Sequence, residues 1–264
     1  MTGAVLDPLA ARYVQWLGLP AATESMLDPA SRSSADVADE DPDQVRAMPV
    51  ILRIERQNPP ARTALLEAAA AAAVAVCLDP RADDEWHDDL TAWVDGRIRK
   101  VARRARGAHW DAVEALPGVT VTVDGAAARA LVPSLVSEAP KEVTRLQISG
   151  SELPADDPGP PPPGVPVLWL NPTVTMTAGK VAAQVGHASM LLAAALRADG
   201  HADFFDDWKD FRCAVRVADR RTWMSVHPGD DPLGAWRRRR VVAVRDAGFT
   251  EVDPGTVTVL AQLP

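Results

Sequence analysis

Cysteine is scarce in this sequence. Only Cys77 and Cys213 occur among 264 residues, and each lies inside an apolar run. This pattern predicts two buried thiols in a reducing compartment. The sequence holds no Cys-x-x-Cys pair, no Cys/His cluster, no Gly-x-Gly-x-x-Gly motif and no P-loop. We therefore expect neither a metal site nor a nucleotide cofactor.

Positive charge is also in deficit. The 28 Lys and Arg residues are outnumbered by 36 Asp and Glu residues, so the net charge is −8 and the pI is about 5.1. Such a chain is not a general polyanion binder, and contact with nucleic acid requires local basic patches. Two patches qualify: Arg97–Arg106, which includes Arg99 and Arg103, and the run Arg237, Arg238, Arg239 and Arg240. The alternative for each patch is a solvated helix face or a sheet edge protected by charge.

Long apolar runs are missing as well. The longest, residues 68–78, is too short to span a bilayer, and Asp7 and Pro8 lie where a signal peptide would have its basic and apolar regions. We therefore expect a cytoplasmic protein without membrane contact. An apolar fraction of 47% is enough for a core, and 264 residues permit one large domain or two ordinary ones.

Proline is concentrated at residues 156–166, which read Asp-Asp-Pro-Gly-Pro-Pro-Pro-Pro-Gly-Val-Pro. This composition predicts a semi-rigid linker. The predicted organisation is a loosely ordered acidic segment (1–47), an α/β domain (48–153), the linker (154–165) and a second α/β domain (166–264).

The two domains show a similar order of predicted elements. The first has strands at 48–55, 119–123 and 143–148, and helices at 61–78, from about 83 to 105 (Arg-rich), and at 126–131. The second has strands at 167–170, 211–217, 240–245 and 256–263, and helices at 179–198, 201–210 and 219–226. This similarity predicts a diverged duplication, and hence a monomeric single-chain pseudo-dimer. The alternative is two unrelated α/β segments.

The helix predicted over residues 179–198 carries an unusual polar face. Nearly all its residues are small or apolar, but Lys180, Gln184 and His187 lie at positions i, i+4 and i+7. Three polar groups on one face of an otherwise buried helix predict a site. For His187 we favour a structural role, packed against a neighbouring strand, over direct proton transfer.

A second candidate stretch lies near the C-terminus. Asp246 follows a predicted strand, at the sheet edge where α/β proteins commonly bind ligands. Gly248 permits a turn that brings Thr250 towards Asp246, and Thr258 lies on one face of the last strand. A carboxylate flanked by threonine hydroxyls can orient and activate water as a general base. The alternative is that Asp and Thr only cap strand ends and turns.

Two motifs make the second domain resemble a known family. They are Gly-Lys-Val-Ala-Ala-Gln-Val-Gly-His-Ala at 179–188, and Asp-Ala-Gly-Phe-Thr at 246–250 followed by Pro-Gly-Thr-Val-Thr at 254–258. With them, residues 165–264 resemble the type 2 peptidyl-tRNA hydrolase family. The resemblance implies a mixed four-stranded sheet with helices on both faces. It also implies metal-free hydrolysis of the ester between a peptide and tRNA, with tRNA as the partner.

The resemblance also implies roles for single residues. Asp246, Thr250 and Thr258 match positions implicated in catalysis, where Asp246 and Thr250 would orient the water. Lys180 would neutralise the carbonyl oxygen and nearby phosphate, while Gln184 and His187 line the substrate site. The basic patches would contact tRNA.

One departure from the family pattern concerns the turn before the helix. Thr175 stands where a lysine is usual, and that lysine would help to bind phosphate or stabilise an oxyanion. The alternative function is therefore a catalytically impaired member that acts as an RNA- or protein-binding module. A third alternative is a hydrolase for another small ester or amide. The first domain lacks both motifs, so a repeat there would be catalytically empty.

Overall fold

The first half of the chain forms a mixed sheet with helices on both faces. The computed structural model describes residues 3–9, 11, 42–201, 211–246 and 251–264. The elements of this half are β1 (Arg46–Arg53), α1 (Arg62–Leu78), α2 (His87–Asp95), β2 (Arg99–Ala105), α3 (Ala108–Glu114), β3 (Gly118–Val123), β4 (Ala126–Leu131), β5 (Ser134–Leu135) and α4 (Lys141–Thr144). The strand order is β2-β1-β4-β3, with β5 beside β1. Strands β1 and β2 are parallel, and the β1–β4 and β3–β4 pairs are antiparallel.

The second half forms a four-stranded mixed sheet. Its elements are β6 (Val167–Leu170), α5 (Ala178–Ala198), β7 (Ala214–Val217), α6 (Arg220–Val226), α7 (Pro232–Arg239), β8 (Val241–Arg245) and β9 (Val257–Gln262). The order is β7-β6-β9-β8, with β6 and β7 parallel and the β6–β9 and β8–β9 pairs antiparallel. The predicted mixed four-stranded sheet is confirmed. Its order and strand directions repeat those of β2-β1-β4-β3, which supports the proposed duplication.

Helices α1 and α5 lie against each other in a layer between the two sheets. Helix α1 covers β3 and β4 and also reaches β7, while α5 covers β8 and β9 and also reaches β2. Each helix is therefore enclosed on most sides: 14 of the 17 residues of α1 and 16 of the 21 residues of α5 are buried. Small side chains allow this close packing. A Cβ added at Gly186 would lie 3.0 Å from the Cβ of Ala73.

The outer face of each sheet is covered by shorter helices. On the first sheet, Ile51 packs in a cluster with Trp110 of α3 and Val143 of α4. On the second sheet, Leu260 packs with Val226 of α6. Strand alternation sends Ile51 outwards while its neighbours Val50 and Leu52 join the central core. Helices on both faces of the second sheet agree with the predicted fold class.

By length and composition, Arg62–Asp83 and Ala178–Ala198 could each cross a membrane. Each of these helices is longer than the apolar run at 68–78, on which the expectation of no membrane contact rested. However, 83% and 78% of their most apolar windows are buried inside the protein. This burial is typical of core helices, because the surrounding sheets cover the apolar surface.

The prediction of an Arg-rich helix from 83 to 105 was wrong. Helix α2 ends at Asp95, Ile98 has a φ of 42°, and residues 99–105 form strand β2. The apolar spacing that suggested one helix spans two elements separated by this left-handed turn. Residues 126–131 are likewise a strand, and residues 141–144 a helix, in the opposite sense to the prediction. Most of the helix predicted at 201–210 lies outside the described residues.

The segments on either side of the predicted first domain are held against the core. Val5 and Leu6 are buried, and Arg197 forms a 2.8 Å ion pair with Asp7. In the Pro-rich linker, the Asp156 carboxylate accepts hydrogen bonds from the N–H and hydroxyl of Thr63. The linker therefore contacts the start of α1, while the proposed domain boundaries stay a prediction.

The enclosed position of α5 predicts a monomer. Because the first half covers α5 on the side away from its own sheet, the full chain should sediment as a single 28.2 kDa particle. The isolated segment 165–264 would expose that apolar face and should self-associate. A dimer of the full chain, with the isolated segment monomeric, would contradict the pseudo-dimer.

Candidate active site

The start of α5 is fixed by hydrogen bonds from several segments. Thr177 caps the helix, its side chain accepting from the N–H of Lys180 at 3.2 Å. The carboxylate of Glu251 accepts from the N–H and the hydroxyl of Thr177 at 2.8 and 2.7 Å. From the first half, Arg62 donates to the carbonyl of Met176 at 3.2 Å. The start of α1 and the β8–β9 connection therefore both fix the turn that carries Lys180.

Asp246 is the centre of the candidate site. It follows β8, and its backbone pairs with Thr256 and Gly255 at 2.9 and 2.8 Å. Its carboxylate Oδ2 lies 2.5 Å from Nζ of Lys180 and accepts from Nε2 of Gln184 at 2.8 Å. The Asp246 side chain is 6% exposed and that of Lys180 11%. A charged pair this well shielded from water interacts more strongly than a surface pair.

Thr258 extends this network into the sheet. It is fully buried on β9, and its hydroxyl donates to Oε1 of Gln184. Gln184 thus accepts from Thr258 through its oxygen and donates to Asp246 through its nitrogen, which fixes the orientation of its amide. The four side chains Lys180, Gln184, Asp246 and Thr258 form one continuous hydrogen-bonded chain, which we call the Asp246 network.

The Asp246 network can bind and polarise substrate oxygens. It places an ammonium next to a carboxylate in a site shielded from bulk water, where electrostatic stabilisation of developing charge is effective. Four predicted site residues are therefore brought together. Thr250 lies outside the described residues, so its predicted place beside Asp246 stays a prediction.

Thr175 lies apart from the Asp246 network. It is exposed and lines a cavity of about 630 Å³, together with Arg62, Asp156, Val181 and Arg216. This cavity lies between the start of α1, the linker and the turn that precedes α5. A longer side chain at position 175 would therefore have room to extend.

His187 contacts the first half rather than Asp246. Its Nδ1 lies 3.2 Å from Nζ of Lys100 on β2. Burial lowers the pKa of His187 well below its usual value, and the charges of Lys100 and Lys180 lower it further. Burial also lowers the pKa of Lys100 to about 7. The expected packing of His187 against a strand agrees with this contact.

The sequence pattern did not identify Lys100, because it predicted a helix over residues 99–105. As a strand, β2 alternates, so Lys100 and Ala102 face α5. Arg103 faces the opposite way and donates to the carbonyl of Leu146 at 2.7 Å, and Arg99 shares that side. The strand periodicity was the signal that could have identified Lys100 as a residue facing α5.

The run Arg237–Arg240 is only partly free to bind a ligand. Arg238 pairs with Asp231, Arg239 donates to two backbone carbonyls, and Arg240 pairs with Asp199. Arg237 is exposed and makes no hydrogen bond within the described part of the chain. Trp110, an aromatic residue close to the first patch that could be expected to stack on a base, is only 1% exposed and so cannot do so. The predicted roles of both patches stay predictions.

Comparisons with known proteins agree with the geometry. The family model described as "Peptidyl-tRNA hydrolase PTH2" matches residues 165–264. A peptidyl-tRNA hydrolase of Methanopyrus kandleri is 34% identical over 97 residues, which cover 36% of this chain and 78% of the relative. A peptidyl-tRNA hydrolase of Thermoplasma acidophilum is 31% identical over 101 residues, covering 37% of this chain and 82% of the relative. No solved structure matches the chain.

The shielded ion pair leads to a stability prediction. Asp246→Ala should lower the free energy of unfolding by about 3 kcal/mol, because it leaves the Lys180 charge with poor solvation. Glu55→Ala, which removes the exposed partner of Arg53, should cost less than about 1 kcal/mol. Urea unfolding measures both. Equal costs for the two variants would contradict the assigned burial of the Asp246 network.

Proposed function

The chain belongs to the type 2 peptidyl-tRNA hydrolase (PTH2) family, and from this membership we propose that it hydrolyses the ester bond between peptide and tRNA. Residues 165–264 would hold the reacting groups. The observation that carries the proposal is the convergence of Lys180, Gln184 and Thr258 on the shielded carboxylate of Asp246.

The proposed reaction is attack of water on the ester carbonyl. Asp246 and Thr250 would orient the water and assist removal of its proton, as a carboxylate and a hydroxyl can do. The C–O bond to the tRNA ribose then breaks, and the ribose oxygen leaves with a proton. The products are a peptide carboxylate and tRNA with a free hydroxyl.

Lys180 would stabilise the negative charge that develops on the carbonyl oxygen in this reaction. Its ammonium lies 2.5 Å from Asp246, and the oxygen of a carbonyl attacked by water at Asp246 would develop its charge near this ammonium. Gln184 and Thr258 would keep the carboxylate in one orientation. Such preorganisation lowers the reorganisation needed during the reaction, since the donors are fixed before the substrate arrives.

The exposed Thr175 favours a second candidate function. Without the usual lysine, the cavity beside the turn has one positive charge fewer for phosphate or an oxyanion. A family member with weakened catalysis could still bind RNA or protein through the same surface. The two candidates differ in one measurable property, which is release of peptide from peptidyl-tRNA.

A peptide-release assay with purified peptidyl-tRNA tests the proposal. Asp246→Asn should slow release by about 100-fold or more, because it removes the carboxylate's charge and basicity while keeping its size. Asp253→Asn, an exposed residue in the same β8–β9 connection, is the matched control and should be unchanged. Thr175→Lys should raise the rate by about 10-fold if the lysine aids catalysis. Release by wild type no faster than background would exclude the enzyme and favour the binding module.

A titration of tRNA binding against salt tests the two patches. Replacing Arg237 and Arg238 by Gln should weaken binding and lower the salt slope by about one for each phosphate that is no longer neutralised. Replacing Arg99 and Arg103 tests the first patch in the same way. Arg56→Gln, an exposed arginine outside both patches, is the control. An unchanged affinity and slope in both double variants would refute the assignment of tRNA binding to these patches.

A further inference from the structure

Lys100 reaches from the first half of the chain to the helix that carries the candidate site. Strand β2 lies at the edge of its sheet and presents Lys100 and Ala102 to α5. A Cβ added at Gly186 would lie 3.2 Å from Cδ and 3.3 Å from Cε of Lys100. Glycine at this position therefore makes room for the lysine stem.

The described surroundings of the Lys100 ammonium contain no carboxylate partner. Nζ lies 3.2 Å from Nδ1 of His187 and 4.9 Å from the centre of the Trp93 ring. The nearby group on α1 is Cys77, whose pKa burial raises to about 12, so that it is a neutral thiol. Within the described part of the chain, His187 is thus the hydrogen-bond partner of Lys100.

The chemistry of this contact assigns the proton on the imidazole. Below its pKa of about 7, Lys100 is an ammonium with protons to donate and no lone pair to accept with, so Nδ1 of His187 must then accept. The ring also faces the positive charge of Lys180 on its own helix, and burial, Lys100 and Lys180 together hold its pKa well below the usual value. A neutral imidazole that accepts at Nδ1 carries its proton on Nε2.

The second ring nitrogen is available to a ligand. Among the described residues, Nε2 of His187 makes no hydrogen bond, and it is not one of the buried polar atoms left unsatisfied. His187 as a residue is partly exposed, and it shares a helix face with Lys180 and Gln184. Nε2–H is therefore a solvent-accessible donor on the face that carries the Asp246 network.

We propose that Lys100 is a positioning residue, which fixes His187 in the Nε2–H tautomer as a neutral donor to the tRNA substrate. The acceptor is an oxygen of the nucleotide end of tRNA, a phosphate or ribose oxygen. This inference rests on the proposed hydrolysis for its substrate. It assigns the first half a direct part in the site, although that half lacks both family motifs.

Nitrogen-15 NMR of histidine-labelled full-length protein tests the tautomer without any turnover. In the wild type at pH 6, where Lys100 carries its proton, Nδ1 of His187 should show the shift of an unprotonated nitrogen and Nε2 that of N–H, with His187→Gln identifying the signal. Raising the pH from 6 to 8 should let the two tautomers mix, because Lys100 loses its proton near pH 7 while the imidazole stays neutral. In Lys100→Met the two tautomers should mix, and the protonation midpoint should rise because one positive charge is gone. A wild-type His187 that at pH 6 has its proton on Nδ1, or is charged, would overturn the proposal.

Steady-state peptide release tests the substrate contact. Lys100→Met should raise KM about 5- to 10-fold, the effect expected for one weakened hydrogen bond, with kcat changed less than about 2-fold. Lys100→Arg keeps a donor and a charge, so it should retain the wild-type tautomer and most of the affinity. Lys141→Met, at an exposed lysine of α4, controls for the substitution itself, and urea unfolding confirms that each variant is folded.

The two experiments separate the two proposals. If the wild type shows the Nε2–H tautomer but Lys100→Met leaves KM unchanged, the role of His187 as a donor to the substrate is overturned. If the wild type releases no peptide, only the proposed hydrolysis is refuted, and the proposed contact of His187 with tRNA is still open to test. In that case tRNA affinity of Lys100→Met replaces KM as the readout, and a decrease smaller than about 2-fold, less than one weakened hydrogen bond, would overturn the proposal.

Discussion

The fold depends on two helices that each pack against two sheets. Because α1 and α5 are enclosed by one another and by sheets on both sides, they must be narrow, and alanine, glycine and serine make them so. The hydroxyl of Ser189 even donates across the contact to the carbonyl of Ala70 at 2.7 Å. Larger side chains would separate the layers and leave voids in a core that tolerates few. Both halves of the chain are therefore one packing unit.

The same packing places the residues of the candidate site. The face of α5 that meets β8 and β9 carries Lys180 and Gln184, so these side chains meet Asp246 and Thr258 without crossing solvent. About one turn beyond Gln184 on the same side of α5, His187 meets Lys100 of β2. A helix buried on most sides has few places for polar residues, and here they lie where a partner accepts or donates. The site is thus a product of helix burial rather than of a surface loop alone.

Much of the arrangement of the candidate site could be predicted from the sequence. Helical spacing predicted one face for Lys180, Gln184 and His187, and the end of a strand predicted the place of Asp246. Sequence could not separate α2 from β2, because the break depends on Ile98 adopting a left-handed conformation that residue preference disfavours. It also could not predict that Lys100 meets His187, since that contact joins residues 87 positions apart through tertiary packing.

The repeated strand order has a consequence for how such a site can change. In a symmetric assembly of two identical chains, any substitution occurs twice, at both copies of the contact. Here the two sheets belong to one chain, so a residue can be altered on one side alone. Lys100 meets His187 on α5, while on the opposite side Arg216 of β7 meets Glu67 on α1. Covalent joining thus lets one half specialise for chemistry and the other for support, an asymmetry closed to a homodimer.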